Sequence, residues 1–154
     1  MDSTIKGVKY PYYEILGDGQ IIFVVSPGTN GLEFNKTTVL SNSYPNIQVY
    51  QCLSGQGMIL MQRLDFEGEA KEFKVISMPV GLQVTVPIGW VTCLVNVGRN
   101  FLVVLANIGI ESSLLDSKEA LKKKGLAYYI VQKKGEISFE PNTNYKVLPQ
   151  ISTE

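Results

Sequence analysis

Histidine is absent from all 154 residues, and with it the side chain most used as a general base near neutral pH and as a transition-metal ligand. Cysteine is scarce. Cys52 and Cys93 are the only two, too few for a disulfide framework, and each stands inside an apolar, strand-like run where a reduced, buried thiol is expected. Charge is sparse and balanced: 18% of residues are charged, with 14 basic against 14 acidic. No basic stretch is interleaved with aromatics, which excludes a nucleic-acid footprint and an anionic membrane surface as partners. Long apolar runs are missing too. No segment reaches about 18 apolar residues, and the opening MDSTIKGVKYPYYEIL has no charged stretch followed by an apolar one. A soluble, cytoplasmic protein is expected. Repeats, linkers and low-complexity stretches are also lacking.

What is present is an apolar content of 45%, enough for one domain with a hydrophobic core at this length. Sparse charge and a slightly positive mean hydropathy suggest apolar surface covered by a second copy, hence a homodimer. From residue 20 onward, short runs rich in β-branched and aromatic residues are cut by Gly, Pro, Asn and Ser at regular intervals, the pattern of an all-β sandwich or barrel. Strands are expected over 20–25, 33–40, 47–53, 57–62, 73–78, 83–86, 90–97, 101–107, 126–132 and 136–139. One segment breaks the pattern. Residues 117–124, SKEALKKK before Gly125, carry a serine N-cap, good helix formers, basic residues in the last turn and glycine past the end, predicting one short surface helix. Its lysines could hold a phosphate, or merely complement the helix dipole.

Residues 81–96, GLQVTVPIGWVTCLVN, resemble the second sequence motif of the cupin superfamily, with Thr92 standing where that motif carries its metal-binding histidine. Upstream, Gln48 and Gly55 bracket a stretch with the spacing of the first motif, Gln48 taking the glutamate position. The order VYQCLSGQGMILMQ, ISMPVGLQVTVPIGWVTCLVNVG, FLVVLANIG, KKG and EPNTNY, over about residues 32–145, is similar to the archaeal cupin-type phosphoglucose isomerases. That resemblance implies a jelly roll (a double-stranded β-helix of two antiparallel sheets), a pocket between the sheets, a homodimer, and an ancestor that interconverted glucose 6-phosphate and fructose 6-phosphate.

The departures fall on the residues that carry the family's chemistry. Two histidines, the first-motif glutamate and the second-motif histidine hold a divalent metal in the family; this chain offers Thr37, Thr38, Val39, Leu40, Ser41, Asn42, Ser43 and Tyr44 upstream, then Gln48 and Thr92. The stretch before Gln48 looks shortened. The run matching the family's phosphate-contacting segment reads Gly109-Ile110-Glu111-Ser112, without its histidine and tyrosine. An amide and a hydroxyl lack the charge and donor strength that zinc or a harder divalent ion requires, so no cofactor and no metal are expected. Enediol chemistry needs a base to take a proton from carbon, and Gln48 cannot be one.

Strand alternation puts Gln48, Tyr50 and Cys52 on one face, and Thr92, Leu94 and Asn96 on one face of another strand. By resemblance both face the barrel interior. Gln48, Tyr50, Thr92 and Asn96 could bind a small polar ligand, or could satisfy one another and bind nothing. Trp90 could stack on a sugar ring, or serve as a core or dimer contact. Glu111 is the one acid near the motif positions able to replace the lost base, and is otherwise a solvated loop carboxylate. The expectation is therefore a metal-free cupin related to glucose-6-phosphate isomerase, non-catalytic, that binds a small polar ligand (a sugar phosphate by resemblance) or a protein partner. The alternatives are an active isomerase working without metal through Glu111 or another acid, and a structural dimeric subunit of a larger assembly.

Overall fold

The computed structural model describes residues 11–17, 19–42, 47–65, 67, 69–107 and 114–153. Its strands are β1 (Tyr12–Gly17), β2 (Gln20–Val25), β3 (Thr29–Asn30), β4 (Glu33–Phe34), β5 (Leu40–Asn42), β6 (Gln48–Ser54), β7 (Gly57–Leu64), β8 (Ala70–Met78), β9 (Gln83–Val86), β10 (Trp90–Asn96), β11 (Leu102–Asn107) and β12 (Leu114–Asp116). Helix α1 (Lys118–Lys122) follows, then β13 (Tyr128–Lys133), β14 (Glu136–Pro141) and β15 (Ile151–Ser152). Two sheets form the sandwich: a first sheet in the order β1-β2-β11-β6-β9 and a second in the order β12-β5-β10-β7-β8-β15. All pairings are antiparallel except β15 on β8. This is the all-β jelly roll with one short helix that the sequence predicts.

Alternation along each strand decides which side chains fill the space between the sheets. Phe23, Tyr50 and Val104 from the first sheet meet Ile59, Met61 and Leu94 from the second in one buried cluster. At about 1.5–3 kcal/mol for each fully buried large apolar side chain, this interior supplies much of the drive to fold. The outer face of the second sheet is buried as well. A small third sheet, β14-β13-β4-β3, and α1 pack onto it, so that Leu60, Val75 and Val95 meet Phe34, Ala120 and Ile130. That explains why β10 is buried on both faces. The two cysteines fall one in each cluster, Cys52 inside the sandwich and Cys93 outside it, both free and buried.

The strand expected over 33–40 is interrupted. Asn35 donates its side-chain amide to Ser26 O and Pro27 O at 3.3 and 3.0 Å, and Thr37 Oγ1 accepts from Leu94 N at 3.1 Å. Between β4 and β5 the backbone pairs with β10 only through an isolated bridge at Lys36 and Val95, so the two strands are separate. β1, β3, β12 and β15 are absent from the sequence expectation, and the first of them closes a hairpin with β2. The helix is shorter by its ends, with Ser117 as the N-cap accepting from Ala120 N at 3.2 Å.

Candidate functional site

β6 and β10 lie in different sheets, and their inward side chains meet across the sandwich. Tyr50 is wholly buried, Thr92 is 1% exposed and Gln48 3% exposed. Tyr50 Oη lies 3.1 Å from Thr92 Oγ1, a hydrogen bond that joins the two sheets, and also donates to Gln48 Oε1 at 3.4 Å. Phe23 stacks beside the phenol ring, with centroids 6.4 Å apart and planes 18° from parallel. Among the described residues Gln48 Nε2 has no hydrogen-bond partner, although it is buried. Three of the sequence-derived candidates are therefore one cluster, open at a single donor.

The other candidates stand apart. Asn96 is four residues along β10 from Thr92, about 13 Å at strand rise, and is spent on backbone: its Nδ2 donates to Val25 O at 2.9 Å and Asn100 O at 2.8 Å, and its Oδ1 accepts from Gly98 N at 2.9 Å. It shapes the turn after β10. Trp90 begins that strand, packs partly buried against the interior cluster, and has Lys74 Nζ 5.2 Å from its ring centroid. Glu111 lies outside the described residues, as do Ser43, Tyr44 and residues 109–112 of the phosphate-matching run.

Burial dominates the electrostatics. The Tyr50 phenol is pushed up to about 12 by desolvation, which the bond to Thr92 only partly opposes. Cys52 is also raised, chiefly by desolvation. Near neutral pH the cluster is thus an amide, a protonated phenol and a hydroxyl, able to donate and accept hydrogen bonds but offering no group that takes a proton from carbon. The divalent metal implied by the resemblance finds only neutral oxygens here, of which Gln48 Oε1 is already an acceptor. Among the described residues no three His, Cys, Asp or Glu side chains gather into a metal-binding group. This donor set does not fit a divalent transition metal.

Sequence reasoning passed over a second buried polar group. Gln62, wholly buried on the opposite face of the second sheet, donates to Tyr145 Oη at 3.0 Å and accepts from Ala127 N at 2.8 Å. Asn142 donates to Lys123 O and Leu126 O, both at 2.9 Å. Both stand inside stretches that carry the family resemblance, Gln62 at the end of VYQCLSGQGMILMQ and Asn142 within EPNTNY, but a lone amide in a strand or loop carries no signal of burial.

Among solved structures the chain is similar to Peruvianin-I, a cysteine peptidase from Thevetia peruviana latex, at 16% identity over 64% of this chain and 56% of that one, with a TM-score of 0.47. It is similar to Bacillus subtilis oxalate decarboxylase at 18% identity, 63% of this chain and 23% of that one, TM-score 0.46. It is also similar to the Drosophila melanogaster CENP-C cupin domain at 8% identity, 64% and 75%, TM-score 0.47. The chain therefore spans little more than half of the first of these proteins and about a quarter of the second. No curated protein matches it. A family model described as glucose-6-phosphate isomerase (GPI) matches residues 14–147, nearly the whole of the sandwich and its covering layer. With the two-sheet jelly roll, the motif glycines and that match in agreement, the chain belongs to the cupin-fold glucose-6-phosphate isomerase family.

Proposed function

We propose that this protein is a metal-free, non-catalytic member of its family, in which the former metal position serves as an internal brace and the outer surface of the barrel does the work by holding a protein partner. The observation that carries the reading is the Gln48, Tyr50 and Thr92 cluster: where the family has a charged, metal-loaded centre, three neutral side chains are shut off from solvent and bonded to one another. A purified sample incubated with Zn²⁺, Mn²⁺ or Ni²⁺ should keep its melting temperature and return to metal-free composition on dialysis. A stoichiometric ion that survives dialysis, or a saturable rise in melting temperature, would overturn the brace.

The partner is a second copy of the chain. On the outer face of the first sheet, Tyr13, Ile15, Ile22, Leu105 and Leu53 point away from the core, and no outward side chain of the described strands there is charged. Tyr13 and Ile15 are more than half exposed. An uncharged sheet face, largely apolar with the Gln51 and Gln83 amides toward its β9 edge, suits an equally uncharged one, which a two-fold dimer provides by construction. The second sheet needs no such cover, since the chain's own β13, β14 and α1 supply it.

One observation favours a second reading, in which a small polar ligand enters the barrel. Among the described residues the Nε2 of Gln48 lacks an acceptor, and a buried donor left unpaired costs about 1–3 kcal/mol. A ligand oxygen, of a sugar phosphate by family kinship, would relieve that cost. Glucose 6-phosphate and fructose 6-phosphate should then shift the Gln48 side-chain amide signals in a nuclear magnetic resonance titration; unmoved signals would rule this reading out.

A further inference from the structure

We infer that the cleft between α1 and the 36–39 segment is a binding site for a small monocarboxylate carried on an apolar body, an aromatic ring or a short alkyl chain. This site lies outside the sandwich and is independent of the barrel interior. The cleft has a volume of about 180 Å³, close to the roughly 150 Å³ known to accommodate benzene in an apolar cavity. Its floor is apolar, formed by the buried Val39 and Ala120, with Leu121 as an exposed wall. Thr37, Thr38 and Ser117 also line it, Lys36 and Lys124 are its two basic residues, and among the described residues no carboxylate lines it.

The charge is set for one negative group. Lys36 Nζ already pairs with Glu33 Oε2 at 2.5 Å and lies 5.1 Å from the Tyr129 ring centroid, so it is held in place with its charge largely matched. Burial disfavours the ammonium, and the neighbouring Cys93 and Glu33 outweigh that effect. Since burial keeps the Cys93 thiol protonated up to about 11, Glu33 is the partner that counts near neutral pH. Lys124 is exposed and pairs with no acid among the described residues, leaving the cleft lining with one uncompensated positive charge. That arrangement fits a monoanion better than a dianionic phosphate, and an apolar body better than a sugar. Gly125 closes the end of the cleft with φ of +123°, and a Cβ there would press on Tyr129 Cε1 at 3.1 Å.

The test is a titration of the full chain, followed by amide chemical shifts, with benzoate, hexanoate and the neutral isostere benzamide. Benzoate or hexanoate should give saturable shifts at Val39, Leu121 and Gly125, and benzamide should bind more weakly by up to about fivefold, the upper end of what one exposed ion pair supplies. Lys124→Glu should weaken carboxylate binding by at least the same factor. Lys122→Glu, on the last turn of α1 but outside the cleft lining, should leave it within about twofold. Shifts that never saturate, that map elsewhere, that benzamide reproduces equally, or that Lys122→Glu weakens as much as Lys124→Glu would each overturn the site.

Discussion

Gln48 and Gln62 are both glutamines buried in strands, and their amides meet opposite fates. Gln62 has a donor and an acceptor partner, whereas the nitrogen of Gln48 has none among the described residues. Replacing each by methionine, close in shape, should separate the two. Gln62→Met leaves Ala127 N unpaired, although Tyr145 Oη keeps its bond to Gly125 O, and should cost about 1–3 kcal/mol, while Gln48→Met removes an unpaired donor and a long bond from Tyr50 Oη, whose hydroxyl can turn to Thr92, and should stay within about 1 kcal/mol of the parent. Urea unfolding measures both, and a Gln48→Met cost equal to that of Gln62→Met would mean that a water or ligand pairs with the amide. Alkaline pH supplies a second test at this scale. Burial raises Tyr50 from 10.0 to about 12 and Cys93 from 9.0 to about 11, so in both cases the neutral form is favoured in the folded state. The stabilisation is complete below the unfolded values and is lost as pH rises through the folded ones, on the order of 2–3 kcal/mol per group. Stability should start to fall above about pH 9, and less steeply in Tyr50→Phe and in Cys93→Val. The Gln48 and Thr92 substitutions were legible in the sequence because motif spacing marks those positions. That Tyr50 bridges them was not, since a hydrogen bond between two sheets depends on a pairing of strands that no local pattern encodes.

At the scale of elements, the turn between β6 and β7 is the most demanding point in the barrel. Gly55 has φ of +92°, and a Cβ there would lie 2.4 Å from Phe101 O, a backbone atom that cannot yield. Gly81 has nearly the same φ of +94° but nothing within 4 Å. Gly81→Ala should therefore cost about 1 kcal/mol of conformational strain, and Gly55→Ala several-fold more, with loss of soluble protein as the practical readout. Equal costs would mean that the β6–β7 turn approaches Phe101 less closely than described. Most strands were legible because alternation and turn residues mark them directly. β4 and β5 were merged in the sequence expectation because Asn35 and Thr37 look like ordinary strand residues until their side chains are seen bonded to distant backbone. β15, two residues long and parallel to β8, has no periodicity to read, and its place is set by the β8 edge it joins. The helix was legible from its serine cap, its helix formers, the basic residues of its last turn and the glycine past its end, and the Ser117 side chain bears out the cap.

For the whole molecule, the proposed dimer places an uncharged sheet face against its own copy. Sedimentation equilibrium should give twice the chain mass, and Ile22→Lys with Leu105→Lys should give a monomer that remains folded, because both side chains point away from the core. A monomeric parent would remove the partner reading. With no histidine to titrate, dimerisation should also be insensitive to pH between about 6 and 8. The most direct test of the metal-free, non-catalytic brace is conversion of fructose 6-phosphate to glucose 6-phosphate by the purified chain, with added divalent metal, with chelator and with neither, beside a histidine-bearing member of the family. No conversion above background is expected in any condition while the control is active. Conversion that metal restores would show that neutral oxygens suffice to hold the ion, and conversion indifferent to chelator would show that a base operates in a barrel where none is expected.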